Sequence, residues 1–246
     1  MRTVVVIPTY NERENLPVIV GRVRAAIPAA SVMIVDDNSP DGTGRLADEL
    51  AAADSQVLVK HRTGKEGLGR AYLDAFAQAL DAGFEVIVQM DADLSHQPED
   101  LPALLAGLES GGTEHPVDLV IGSRWVPGGK IVNWPWHRIL ISRGGSWYAR
   151  TMLRVPTRDA TAGFRAWRAS ALQSLPLDAV QTKGYGFQVD MLWQAFQAGL
   201  RVVEVPITFI ERVVGTSKMS TKIVIEAMLQ VTQWGLAARF GKRAPK

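Results

Sequence analysis

The chain has 246 residues, a formal net charge of +2, 47% apolar residues and no cysteine. That length and apolar share suit one large α/β domain or two small ones. The charge balance argues against a dedicated nucleic-acid binder, and without thiolates any metal must sit on oxygen or nitrogen ligands.

In chain order, Val4-Val5-Val6-Ile7 is too short for a signal peptide and stops at Pro8. It reads as a first strand. Further short β-branched runs predict strands at Val32–Asp36, Gln56–Val59, Glu85–Met90 and Asp118–Ile121. Continuous apolar runs of this kind suit strands buried on both faces, as in a parallel sheet. Helical spacing predicts helices over Val18–Ile27, with Asn15 as N-cap, and over Leu68–Ala82. Alternating strands and helices build βαβ units, which bind ligands beyond the carboxyl ends of the strands.

The second half is less regular. Residues 125–155 carry Trp125, Trp134, Trp136 and Trp147 among Arg138, Arg143, Arg150 and Arg154. Ser220–Phe240 predicts an amphipathic helix with a narrow polar stripe (Lys222, Glu226, Gln230, Gln233), followed by a basic tail. No stretch approaches the roughly 20 apolar residues that cross a bilayer, so the expected location is cytoplasmic and peripheral.

Polar clusters fall where the strands end: residues 8–12 (PTYNE), 36–42 (DDNSPDG), 91–96 (DADLSH) and 122–124 (GSR). Asp91 and Asp93 are the sharpest signal. At i and i+2 of an extended segment two carboxylates converge, which is unfavourable unless a cation lies between them. Few, hard ligands suit Mg²⁺ or Mn²⁺ shared with a substrate diphosphate. Asp36 and Asp37 can accept hydrogen bonds from a ribose or base, and Asp41 or Thr43 can cap the next helix. Residues 64–69 (GKEGLG) read as a tight turn that offers Lys65 to a phosphate or base. Arg124, Arg138, Arg212 and Lys218 place cations where phosphates need them.

Taken together, PTYNERENL (8–16), DDNSPDG, DADLSH, GSR, DATAGFR (159–165), GYGFQVD (184–190) and GTSK (215–218) span almost the whole chain. In that order they resemble the dolichyl-phosphate (polyprenyl-phosphate) mannose synthases, inverting family 2 glycosyltransferases. The resemblance implies a GT-A fold, α/β with a mostly parallel central sheet and helices on both faces. It implies a catalytic domain over 1–219, with an acceptor- and membrane-facing segment near 125–155 and a terminal helix and tail over 220–246. Pro8, Thr9, Tyr10, Glu12, Val35 and Asp37 would hold the guanosine end of GDP-mannose. Asp91, Ala92 and Asp93 would meet the diphosphate, with Asp91 and Asp93 serving the metal. Arg124, Arg212 and Lys218 would complete the donor site, and Arg138 with Ser142 would receive the acceptor phosphate. Asp91, Asp93, Arg124 and Arg212 would carry catalysis, while Gln188 and Asp190 lie near the sugar without an assigned role.

Two departures stand out. Some relatives have a further metal-binding glutamine where this chain has Ser95, and others carry membrane helices that are missing here. The shorter type in that family can depend on a separate integral membrane partner.

A phosphate monoester acceptor has a second pKa of about 6 and is largely dianionic at neutral pH, so it needs no general base. The burden falls on countercharge, which a divalent metal and guanidinium groups supply. Three alternatives stay open: UDP-glucose as donor, a hydroxyl acceptor with Asp190 as base, and an inactive nucleotide-binding or membrane scaffold module.

Overall fold

The computed structural model describes residues 1–112, 115–180, 185–212 and 221–240, with Tyr185 and residues 221–226 described by backbone alone. Its centre is a seven-stranded sheet. The strands are β1 (Thr3–Thr9), β2 (Ser31–Asp36), β3 (Val57–His61), β4 (Val86–Gln89), β5 (Leu119–Ser123), β7 (Arg165–Arg168) and β8 (Val202–Pro206), in the order β3-β2-β1-β4-β7-β5-β8. Every neighbouring pair is parallel except β4–β7 and β7–β5. A two-stranded parallel ribbon, β6 (Lys130–Val132) with β9 (Thr208–Ile210), stands beside it.

The period-2 geometry of strands sorts the apolar runs into two cores. Val4, Val6, Met33 and Val35 face one layer, whereas Val5, Ile7, Val32 and Ile34 face the other. The first layer is covered by α3 (Leu68–Asp81), α5 (Trp136–Leu153), α6 (Ala169–Gln173), α7 (Tyr185–Gln197) and α8 (Thr221–Phe240). The second is covered by α1 (Leu16–Ala26), α2 (Thr43–Ala53) and α4 (Leu101–Glu109). On α1 the buried residues Leu16, Ile19, Val20 and Val23 follow the i, i+3, i+4, i+7 pattern of one helix face. Fully burying such a side chain stabilises by about 1.5–3 kcal/mol, which is why the strand runs and this stripe set the layers.

Local expectations needed correction. Asn15 does precede α1, yet its side chain does not cap the helix; its amide donates instead to Glu12 Oε2 at 2.8 Å. Strand β5 runs to Ser123, so Gly122 and Ser123 belong to it and only Arg124 lies beyond. Strand β7 was not anticipated, because its sequence RAWR hides a buried face behind two arginines. Helix α8 joins the first core through Val231 and meets α5 through a Tyr148–Thr232 hydroxyl contact of 2.6 Å. Among the described residues no helix is long and apolar enough to cross a membrane.

Candidate active site

The carboxyl ends of β1, β2 and β4 and the start of the loop after β5 open into one cavity of about 550 Å³. Pro8, Thr9, Tyr10, Glu12 and Asp37 line its first end. Asp91, Ala92, Asp93 and Arg124 line its middle, with Arg138, Ser142 and Arg212 toward α5. Val35 is the exception: its side chain is 0% exposed and packed in the core, so only its main chain is near the site. Lys218 lies outside the described residues.

At the first end the two adjacent acids divide the work. Asp36 builds the turn, accepting from Thr9 Oγ1 (3.0 Å), Ser39 N (3.0 Å) and Ser39 Oγ (2.6 Å). Asp37 is held by Arg62, which also binds Glu66 and Asp74 at 2.7 Å each. Burial raises the Asp37 carboxyl above its ordinary range, and Arg62 opposes that shift. Arg62 was not foreseen, since Asp37 and Asp74 lie 25 and 12 residues from it in sequence and only Glu66 is local. Lys65 sits 4.0 Å from the Tyr10 ring centroid, and Asp41 accepts from Thr43 N and Oγ1 at the start of α2.

The acidic turn follows β4. Asp93 Oδ1 accepts from Ser95 N (3.1 Å) and Ser95 Oγ (2.5 Å), while Asp93 Oδ2 pairs with Arg212 Nη2 at 3.0 Å. Ser95 is therefore spent on shaping the turn. Between them Leu94 has φ +63°, a conformation that costs an aliphatic residue of order 1–3 kcal/mol. Asn11 (φ +60°) and Asn38 (φ +57°) repeat it in the two neighbouring loops. The main-chain N–H of Asp91 donates to His96 Nδ1 at 3.2 Å. His96 is 2% exposed, stacks on Phe164 at 5.0 Å and has its pKa lowered by burial, against the pull of Asp91 and Asp93. It is thus a neutral acceptor that orients Asp91. Burial and the charges of the same two aspartates push the Tyr72 hydroxyl well up.

Two carboxylates are what this turn offers; among the described residues no group of three metal-binding side chains exists. Such a donor set fits Mg²⁺ or Mn²⁺, which takes one or two carboxylates and completes its shell with water and substrate phosphate.

Arg124 is not simply a countercharge. Its Nε and Nη2 bind Asp159 at 2.8 and 2.7 Å, and its own main-chain N–H binds the same carboxylate at 3.0 Å. Asp159 is 0% exposed and its turn is braced by Glu204 and, from below, by Arg165, which donates to the carbonyls of Ala160 and Ala162. Burial lowers the Arg165 guanidinium to about 9. Arg138 pairs with Glu211 and lies 4.2 Å from the Trp134 ring centroid, while Phe209 packs edge-on against Trp134 at 5.1 Å. Trp134 is therefore a cavity wall; the exposed tryptophans are Trp136 (73%) and Trp147 (67%). Asp190 does not line the cavity, and its Oδ1 accepts from Gln194.

The chain is similar to known proteins. An undecaprenyl-phosphate mannosyltransferase of Micrococcus luteus is 56% identical over 245 residues, covering 99% of this chain and 98% of that protein. A polyprenol monophosphomannose synthase of Mycolicibacterium smegmatis is 53% identical over 242 residues, covering 98% of this chain and 89% of that protein. In fold, the glucosyl-3-phosphoglycerate synthase of Mycobacterium tuberculosis, crystallised with Mn²⁺ and UDP-glucose, matches with a TM-score of 0.66 at 20% identity. That match covers 99% of this chain and 81% of the other. With the glycosyl transferase family 2 pattern matching residues 4–175, the chain belongs to glycosyltransferase family 2 and has its GT-A fold.

Proposed function

We propose that this chain transfers mannose from GDP-mannose to a polyprenyl phosphate at a membrane surface, using Mg²⁺ or Mn²⁺ held by Asp91 and Asp93. One observation carries the reading: a single cavity joins the Asp91–Asp93 pair to the Arg138–Arg212 side, and its wall continues onto apolar residues of α5 and α8, Ile141, Met228 and Val231. Such a cavity suits a substrate that is anionic at one end and hydrocarbon at the other. The names of the two relatives more than half identical to this chain support mannose and a polyprenyl phosphate.

The donor site is read as Pro8, Thr9, Tyr10, Glu12 and Asp37 around the nucleoside. The Tyr10 ring with Lys65 over it offers a stacking face and a cation to the base or phosphates. When bound, the divalent ion neutralises the diphosphate leaving group. Arg212 and Arg138 each hold a carboxylate, and each can exchange it for a phosphate oxygen by the same hydrogen-bonding chemistry. Arg124 is balanced by Asp159, so it shapes the middle of the site more than it adds net charge. The acceptor phosphate is its own nucleophile. No base is required, which agrees with a neutral His96 and with an Asp190 that stands off the cavity. In-line attack at the anomeric carbon inverts it, giving a β-linked product.

Exposed apolar side chains on α5 and α8, with exposed Arg143 and Arg150 among them, support a peripheral position at the lipid surface. The expected side is cytoplasmic, and a separate integral membrane partner is compatible with that position. The deciding assay mixes the protein with labelled GDP-mannose, a short polyprenyl phosphate and Mg²⁺ or Mn²⁺, with EDTA as control. Labelled lipid that vanishes with EDTA is expected. Product from UDP-glucose alone would change the sugar, and silence with both donors would favour an inactive module.

A further inference from the structure

A polar side chain in the cavity wall has nothing in the described protein to bind. Gln188, in the first turn of α7, is 3% exposed, and neither Oε1 nor Nε2 has a hydrogen-bond partner among the described residues. Packing fixes it from both sides. Phe187 before it stacks on Tyr72 at 6.0 Å, and Val189 after it is buried in the core. Buried amides without partners are rare in folded proteins, because their desolvation is not recovered. This one lines the cavity, so its missing partner has a way in.

Gly163 defines the space it faces. A Cβ built on Gly163 would stand 3.7 Å from Gln188 Nε2, 3.6 Å from His96 Cε1 and 3.8 Å from Asp91 Oδ2. The amide, the imidazole and the carboxylate thus surround one volume that the glycine leaves open. A carboxamide offers donors on one atom and an acceptor on the other, so its complement is a pair of neighbouring groups that can both give and take. Adjacent sugar hydroxyls are such a pair. The group is also neutral, as this position demands: a carboxylate here would add a third negative charge beside Asp91, Asp93 and an incoming diphosphate.

We infer that Gln188 binds the hydroxyls of the transferred sugar, in the space that Gly163 keeps open beside Asp91. This rests on the donor-site reading above and adds the sugar subsite to it. An amide reading both donor and acceptor positions makes Gln188 a specificity residue, since a sugar with a displaced hydroxyl leaves one of its atoms unpaired.

The test separates sugar from nucleotide. Gln188→Leu keeps the side-chain size and removes both polar atoms, and GDP and GDP-mannose are titrated by calorimetry in the presence of Mn²⁺. Unchanged GDP affinity with GDP-mannose binding and transfer weakened about 10- to 100-fold is expected. Gly163→Ala serves as a second variant. Its new methyl would meet the three atoms at ordinary contact distance, so the chain folds while the volume is filled, and the same split is expected. Equal losses for both nucleotides would make Gln188 a structural residue and overturn the inference. Unchanged binding and transfer would mean that the amide meets only water. Should the wild-type protein bind UDP and UDP-glucose instead, the GDP-mannose reading falls, and the same comparison on the UDP pair decides Gln188 on its own. A wild-type protein that binds neither pair overturns both.

Discussion

Arg124 and Asp159 lie at 8% and 0% exposure, and their pairing decides how the middle of the site holds its shape. The carboxylate accepts three bonds from one residue, two from the guanidinium and one from the main chain. Removing one partner of such a pair strands a buried charge, which usually costs about 3–5 kcal/mol. Asp159→Asn is therefore expected to lower the unfolding free energy by roughly 3 kcal/mol in a urea titration. Replacing both partners, by Arg124→Met with Asp159→Leu, is expected to cost less than the single change. A single variant as stable as the parent would show that Arg124 keeps enough water to need no partner. The sequence pointed to Arg124 as a cation after a strand and to Asp159 only as the start of the DATAGFR motif, with no sign that the two pair. The two are 35 residues apart, and only the insertion of β7 beside β5 brings them together. The same holds for Arg62 with Asp37, whereas Asp91 and Asp93 were legible because their pairing is local.

Helix α8 crosses α5 at unusually short range. A Cβ on Gly235 would stand 2.7 Å from the Met152 carbonyl oxygen, closer than real side chains come, and this atom belongs to a helix backbone. Gly235→Ala must push the helices apart. A loss of about 1–3 kcal/mol is expected, as for other overpacked sites. Because Ala227, Met228 and Val231 of α8 line the cavity, the KM for polyprenyl phosphate should rise more than that for the nucleotide sugar. Gly144→Ala on α5 meets nothing within 4 Å, so it is expected to leave KM alone and to raise stability by about 0.4–1 kcal/mol. Equal behaviour of the two variants would remove the tight crossing as their cause. Elements of this kind divide cleanly by legibility. The strands β1 and β2 follow from short continuous apolar runs and helix α1 from helical spacing, since one short window holds each signal. Strand β7 does not, because two of its four residues are arginines and its burial comes from pairing with β4 and β5 and from the bond of Trp167 Nε1 to Gln89, 78 residues away, contacts that no short window of the sequence contains. The expected Asn15 cap failed for a local reason: Glu12, three residues earlier, accepts from its amide.

At the scale of the whole molecule, the sheet gathers its polar loops on one edge, and α5 and α8 extend that edge with apolar surface. Trp136 (73%), Leu140 (59%), Trp147 (67%) and Phe240 (82%) are exposed, far more than residues of their type usually are. Trp134 differs, held between Arg138 and Phe209. Aromatic rings beside arginines are favoured at the headgroup level of a bilayer, and their attraction to anionic lipid weakens with salt. The double variant Trp136→Ala with Trp147→Ala is accordingly expected to bind vesicles containing anionic lipid several-fold more weakly. Its transfer to a short, water-soluble polyprenyl phosphate should be unaffected. Trp134→Ala should do the reverse, sparing vesicle binding while lowering transfer, because it removes a wall of the cavity and the ring against Arg138. Cosedimentation with vesicles and a lipid-free transfer assay measure the two effects separately. If the double variant still partitions like the parent, the exposed face of α5 is not what meets the lipid, and the apolar residues of α8 become the next to replace.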